Sequence, residues 1–234
     1  MNELLQPLQP ESSEHQKVLL EFLGNRIPLE ILKEVIPLEK NRIPYENFYF
    51  FSPSILAKYA NAQLPWQYWA QQISEAIDCA IQKGSHMFSV RPEEIITSFS
   101  KGEAAFALAT SQPTNSIPDV AAFVRAHRWI KGKKIVGVEV GSLIVPLPYR
   151  GNGLPQVVIP LLVQEMKEKF PGVPLFAVVA KNNIPSLKTF RNLGCREEHA
   201  EGEYFIGSGD ESGDEQKVNI LGNEWPYPSS VFYF

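Results

Sequence analysis

Between Ile135 and Gly194 the hydrophobic period of the chain switches repeatedly, and few architectures accept the resulting string. Ile135–Val145 alternates as a strand, YRGNG at 149–153 is a glycine turn, and an apolar helix runs from there to about Phe170. Leu175–Ala180 is a short, wholly apolar strand, and Pro185–Leu193 is a second helix stopped by Gly194. A strand with no polar face is of the kind buried on both sides. A strand–turn–helix–strand–helix unit therefore needs a sheet with helices packed on it, which is mixed α/β architecture. Pro155 suits the first turn of its helix, whereas Pro160, inside it, predicts a kink.

The flanking segments extend the same plan. Residues 2–9 alternate loosely and are expected to form a first strand. Ser13 and Gln16 form a capping-box pattern ahead of a helix that ends at Gly24. Residues 25–64 are rich in proline and aromatics and read as short pieces. Pro65 opens the clearest helix, whose stripe runs from Trp66 and Trp69 to Ala80 and Ile81, with Gly84 as its stop. A shorter helix is expected over Pro92–Phe99. Ala104–Thr110, Val120–Ile130 and Ile135–Val145 then read as three strands of an antiparallel meander. The last strands are expected at His199–Ile206 and Val231–Phe234, with GSGDESGDE in the link between them.

Composition bounds the function. The chain has 234 residues, 44% of them apolar, enough for one well-stocked core. Its longest apolar runs, such as Val157–Val163, fall short of the ~18 residues a membrane span needs. The N-terminus, MNELLQPLQPESSEH, is acidic and has no charged-then-apolar leader pattern, so a cytoplasmic protein is expected. Charge is distributed unevenly. Residues 125–191 hold eleven Lys/Arg against three Glu, and 197–215 hold eight carboxylates with no Lys/Arg. The acidic run weakly favours a cationic partner. Nucleic acid is disfavoured, because no basic stripe carries interleaved aromatics. Cys79 and Cys195 and the four histidines have no metal-ligand spacing, and no metal site is expected.

The chemistry-bearing stretch is GSLIVPLPYRGNGLP, residues 141–155. A strand that runs through a glycine turn into a helix start presents free N–H groups, and the helix dipole adds roughly half a positive charge there. Such a place binds anions, and Arg150 strengthens it. The segment matches neither a Walker loop nor a dinucleotide fingerprint. Its Arg150-Gly151-Asn152-Gly153-Leu154-Pro155 resembles the pyrophosphate motif Q/R-x-x-G-x-G/A of the GNAT acyl-CoA N-acyltransferase family. Asn183, Ser186, Phe190 and Gly194 follow at the spacing of that family's downstream pattern. The detailed resemblance covers residues 135–195.

The resemblance implies a single GNAT-like domain over residues 1–234, with a mixed sheet whose central parallel strands splay apart. It also implies a helical substrate-side insert, residues 25–100, before the second strand. Acetyl-CoA would enter the splay between 137–145 and 175–180. Its pyrophosphate would lie on the N–H groups of Gly151, Asn152, Gly153 and Leu154 beside Arg150, and its pantetheine on the backbone near Leu143 and Val145. Asn183 would contact the cofactor or tie the strand to its helix, and Phe190 would complete the cofactor set. The amine must lose a proton before it attacks the thioester, so a carboxylate nearby is useful. Glu139 is the candidate: strand faces repeat every two residues, so it is expected to share a face with Gly141, Leu143 and Val145. It also stands eleven residues before Arg150, as the base does in several histone-acetylating relatives. The N–H near Leu143 is the oxyanion candidate.

Two residues depart from the pattern. Pro155 ends the motif without an N–H, and Phe190 stands where many relatives carry a tyrosine that protonates the leaving thiolate. Tyr149 and Tyr204 are the candidate substitute donors, with core or rim packing the favoured alternative for both, and Cys195 reads as a small buried hydrophobe. The expectation is an N-acetyltransferase that moves an acetyl group from acetyl-CoA to a primary amine on a small molecule or peptide. The alternative is an acyl-CoA-binding sensor or interaction module without turnover. The sequence leaves the oligomeric state, a homodimer included, open.

Overall fold

The structure is a computed structural model and describes residues 13–28, 32, 47–85, 87–109, 117–199, 205–206, 218–219 and 229–234. Six helices are described: α1 Ser13–Gly24, α2 Pro53–Tyr59, α3 Trp66–Gln82, α4 Pro92–Ser100, α5 Pro155–Lys169 and α6 Ile184–Asn192. The strands are β1 Phe48–Phe51, β2 Ala104–Ala109, β3 Val120–Lys131, β4 Lys134–Ile144, β5 Leu175–Ala180, β6 Arg196–His199, β7 Phe205–Ile206, β8 Val218–Asn219 and β9 Ser229–Tyr233. Seven of them form one sheet in the order β1-β2-β3-β4-β5-β9-β6, and β7 and β8 pair separately. Neighbours in the large sheet run antiparallel except β4 and β5, which run parallel. The expected mixed sheet with a central parallel pair is present.

Alternation along the strands builds two cores. Ala105, Ala107, Val124, Val138, Val140 and Ala177 face α5 and α6. The alanines of β2 let α5 approach closely with Val157, Val158, Leu161 and Leu162. The opposite face carries Ala104, Phe106, Leu108 and Phe123 under α1–α4. There Phe22 stacks on Phe51 at 4.3 Å and Trp66 meets Trp69 edge-on at 5.4 Å. Trp69 is fully buried and its indole N–H donates to the Pro118 carbonyl at 2.8 Å. No helix among the described residues is long and apolar enough to cross a membrane.

The first strand expected at residues 2–9 lies outside the described residues; among the described ones, Phe48–Phe51 pairs beside β2. The described part of 25–100 supplies β1 as well as α2–α4. FYFF shows no period-2 pattern because both its faces are covered: Phe48 and Phe50 join one core, Phe51 the other. The strand expected to begin at His199 ends there. Arg196–His199 is a charged edge strand, and β9 lies between it and β5. The helix α5 continues through Pro160.

Candidate functional site

The parallel pair holds together at one end only. β4 and β5 pair at Val138↔Leu175 and Glu139↔Phe176, with Val138 N–H donating to the Pro174 carbonyl at 2.9 Å. Beyond these residues β5 continues its pairing with β9, and β4 continues with β3. A cleft lined by backbone therefore opens between β4 and β5 past Glu139.

A β-bulge sits where β4 enters this cleft. Phe123 opposes Ile144 and Arg125 opposes Gly141, so Ser142 and Leu143 together face the single residue Val124. Ser142 is held at φ 50°, a left-handed conformation that a non-glycine residue seldom adopts. The extra residue breaks the alternation. Gly141 shares the face of Glu139, as expected, but Leu143 and Val145 turn to the α5 side and Ile144 packs with Phe123 under the helical cap. The expectation of one face for Glu139, Gly141, Leu143 and Val145 is corrected on this ground.

On the Glu139 side of the bulge lies a polar cluster set in a largely apolar face. Glu139 opposes His127 across the ladder and accepts from the Trp129 indole N–H at 3.2 Å. Burial pushes its carboxyl up to about 7, opposed by that hydrogen bond and by the Arg125 charge. His127 is pushed down to about 3 by burial and by the neighbouring Arg125, so its imidazole is neutral at physiological pH. The Ser142 hydroxyl accepts from Arg125 Nε at 3.2 Å and lies 3.3 Å from His127 Nε2. Trp129 closes the cluster from below, packed edge-on against Phe176 with centroids 4.6 Å apart.

At the far end of the cleft the glycine turn is built as its residues require. Leu147–Tyr149 is a single 3-10 turn, and Gly151 and Gly153 take φ of 84° and 70°. A Cβ on Gly151 would touch nothing, so the backbone conformation rather than space demands glycine there. Arg150 is exposed and folds back to donate Nε to the Val145 carbonyl at 3.1 Å. The Asn152 amide donates to the Tyr149 carbonyl at 3.0 Å. Leu154 is buried and opens α5. The Asp119 carboxylate ties this turn to the cap by accepting from Tyr68 at 2.9 Å, Gln72 at 2.6 Å and the Tyr149 hydroxyl.

The remaining expected residues divide. Asn183 caps α6, its side chain accepting from Ser186 N–H at 3.3 Å. Phe190 packs into the core: it is 3% exposed, stacks on Phe232 at 5.3 Å and meets Phe234 edge-on at 5.8 Å. Burial raises the Cys195 thiol to about 11, which leaves it unreactive. Tyr204 lies outside the described residues. Arg125, Trp129 and Ser142 were missed as site residues. The available signal was Arg125-Ala126-His127-Arg128-Trp129, where polar residues alternate on a strand whose other face is apolar. A hollow of about 720 Å³ lies elsewhere, among Pro28, Ser54, Lys101 and Glu165 at the distal end of α5, and holds none of the expected residues.

No family model matches the sequence, and no curated protein matches it. Solved structures do resemble it. YncA from Salmonella typhimurium with acetyl-CoA is 13% identical and has a TM-score of 0.47, over 80% of this chain and 90% of that one. NAA60 from Arabidopsis thaliana with acetyl-CoA is 14% identical with a TM-score of 0.45, over 80% and 96%. A GNAT phosphinothricin acetyltransferase from Sinorhizobium meliloti with acetyl-CoA is 16% identical with a TM-score of 0.45, over 71% and 82%. None of these overlaps exceeds a TM-score of 0.47; the chain's own strand order, a meander leading into one parallel pair that parts past a bulge, agrees with the mixed sheet that the sequence resemblance implies.

Proposed function

We propose that the protein is an N-acetyltransferase that moves an acetyl group from acetyl-CoA to a primary amine. One observation carries this reading: a carboxyl raised to about 7, Glu139, stands where the two parallel strands part, and beyond the end of the same strand a glycine turn of the kind that suits an anion leads into α5. In this reading the pyrophosphate lies on the N–H groups of 151–154 with Arg150 at its edge. Pro155 supplies no donor, so the cradle ends at Leu154 and is one donor poorer than in the family pattern.

Glu139 accepts the amine proton as nitrogen attacks the thioester carbon; the C–N bond forms, the C–S bond breaks, and CoA leaves as its thiolate. A carboxylate with a pKa near 7 suits that task, being ionised yet basic at neutral pH. The bulge releases the backbone at Leu143 from the ladder, which favours its N–H as the oxyanion donor. His127 stays neutral and serves to hold Ser142. No general acid is assigned, because Phe190 is in the core and the Tyr149 hydroxyl is engaged by Asp119. A thiol with a pKa near ~8.5 departs without one. Of the acidic run that weakly favours a cationic acceptor, Glu197 pairs with Arg191 at 2.8 Å and Glu198 with Arg196 at 3.0 Å; the other six carboxylates lie outside the described residues.

Calorimetry with acetyl-CoA, together with CoA release across polyamines, amino acids, aminoglycosides and short peptides, tests the reading. Binding with amine-dependent release supports it, and absence of acetyl-CoA binding sinks it. Binding without release on any amine favours the alternative, an acyl-CoA sensor, for which the phenylalanine at 190 is the motivating observation.

A further inference from the structure

Arg125 is poorly matched to its surroundings. Its side chain is only 11% exposed, yet its nearest carboxylate, Glu94, is 3.9 Å away and only partly available, since Glu94 holds Arg91 at 2.9 Å. Among the described residues its short hydrogen bond is the neutral contact from Nε to Ser142, and the Glu139 carboxyl attracts it from a longer distance. A guanidinium has five donors, and a cation taken out of water is costly unless an anion completes it. Burial accordingly lowers the Arg125 pKa to about 10.

The register fixes what this cation faces. Arg125, His127 and Trp129 share the Glu139 face of the sheet, and the residue opposite Arg125 is Gly141. With no side chain on Gly141, Glu139 and His127 close to within 3.5 Å of where its Cβ would stand, so base and cation meet on this face with no side chain from the opposing residue between them. A base and a cation therefore lie about two strand residues apart along one face, roughly 7 Å by strand geometry. Neutral His127 between them adds no competing charge. The planar fork of arginine matches a carboxylate through two parallel hydrogen bonds.

We propose that the acceptor is a free amino acid, whose carboxylate pairs with Arg125 while its amine is presented to Glu139. The proposal rests on the acyltransferase reading above and specifies its substrate class. Ser142 positions the guanidinium from the bulge, so the distortion that opens the cofactor cleft also aims the substrate cation.

The test uses the full chain saturated with CoA, titrated calorimetrically with the common α-amino acids, their α-amides and the corresponding decarboxylated amines. At least one amino acid is expected to bind about tenfold or more tightly than its amide and its amine. Arg125→Gln is expected to abolish that preference and Arg125→Lys to retain part of it, with CoA affinity unchanged in both. Amides or amines that bind as well as the amino acids overturn the proposal, as does a preference that survives Arg125→Gln. If the variant does not fold, the comparison of amino acid with amide on the unmodified chain decides alone. CoA binding without amino-acid preference overturns this proposal and leaves the acyltransferase reading standing. Absence of CoA binding overturns both.

Discussion

Glu139 is the residue whose environment most changes its chemistry. Because its carboxyl titrates near 7 rather than near 4.5, ionisation of the catalytic form spans the neutral range. In the proposed mechanism kcat/KM rises with pH through an inflection near about 7. Glu139→Gln is expected to remove that limb and to lower kcat by roughly 10²–10⁴-fold, measured by CoA release. The same shift affects stability with a fixed sign. Between pH 4.5 and about 7 the folded chain holds a proton that the unfolded chain has released, so this group's contribution weakens as pH rises through that window. Thermal unfolding of Glu139→Gln should show less loss across it. Gly151 is constrained by backbone alone: Gly151→Ala is expected to cost about 1–2 kcal/mol from its φ of 84°, read by denaturant unfolding.

At the scale of elements, the crossing of β4 and β5 is set by a missing side chain. A Cβ on Gly137 would come within 2.7 Å of Phe176 Cε1. Phe176 cannot yield freely, because Trp129 packs against it and only 6% of it is exposed. Gly137→Ala is therefore expected to destabilise by about 1–3 kcal/mol and to disturb the strands where they part, seen as lower stability together with weaker acetyl-CoA binding. The link between cap and phosphate turn is polar. Asp119→Ala removes the shared acceptor of Tyr68, Gln72 and Tyr149 and is expected to cost about 1.5–3 kcal/mol, with the turn after β4 loosened.

Across the whole molecule the sheet couples two cores, because β2 and β3 send alternate residues to α5 on one face and to the aromatic cap on the other. The cap occupies the Glu139 face and reaches Arg125 through Glu94 of α4, which makes it a wall of the proposed acceptor site. Trp69 lies at its centre, fully buried among Phe22, Trp66 and Phe106. Trp69→Ala is expected to cost about 3–5 kcal/mol, in one cooperative transition by near-UV circular dichroism and by fluorescence, since the cap has no sheet of its own to unfold from.

Sequence pattern alone determined the elements with a clear period: the Trp66–Gln82 helix, the β2–β4 meander, the apolar β5 and the glycine turn into α5. Each is a local matter of spacing, proline and glycine. The resemblance also points to Glu139, by residue type and place, as the residue to test. Tertiary structure decided the rest. Phe48–Phe51 is a strand because two cores cover it, and no alternation betrays a strand covered on both faces. The bulge at Ser142 depends on pairing β3 with β4, and one extra residue there reverses the faces of Leu143 and Val145. Arg125 comes to stand beside Glu139 only when the register sets it opposite a glycine. Phe190 becomes core only when β9 enters the sheet and brings Phe232 beneath it. Burial and opposition across strands are properties of the folded sheet, and they convert ordinary charges on a strand into a base near neutrality and a cation in need of an anion.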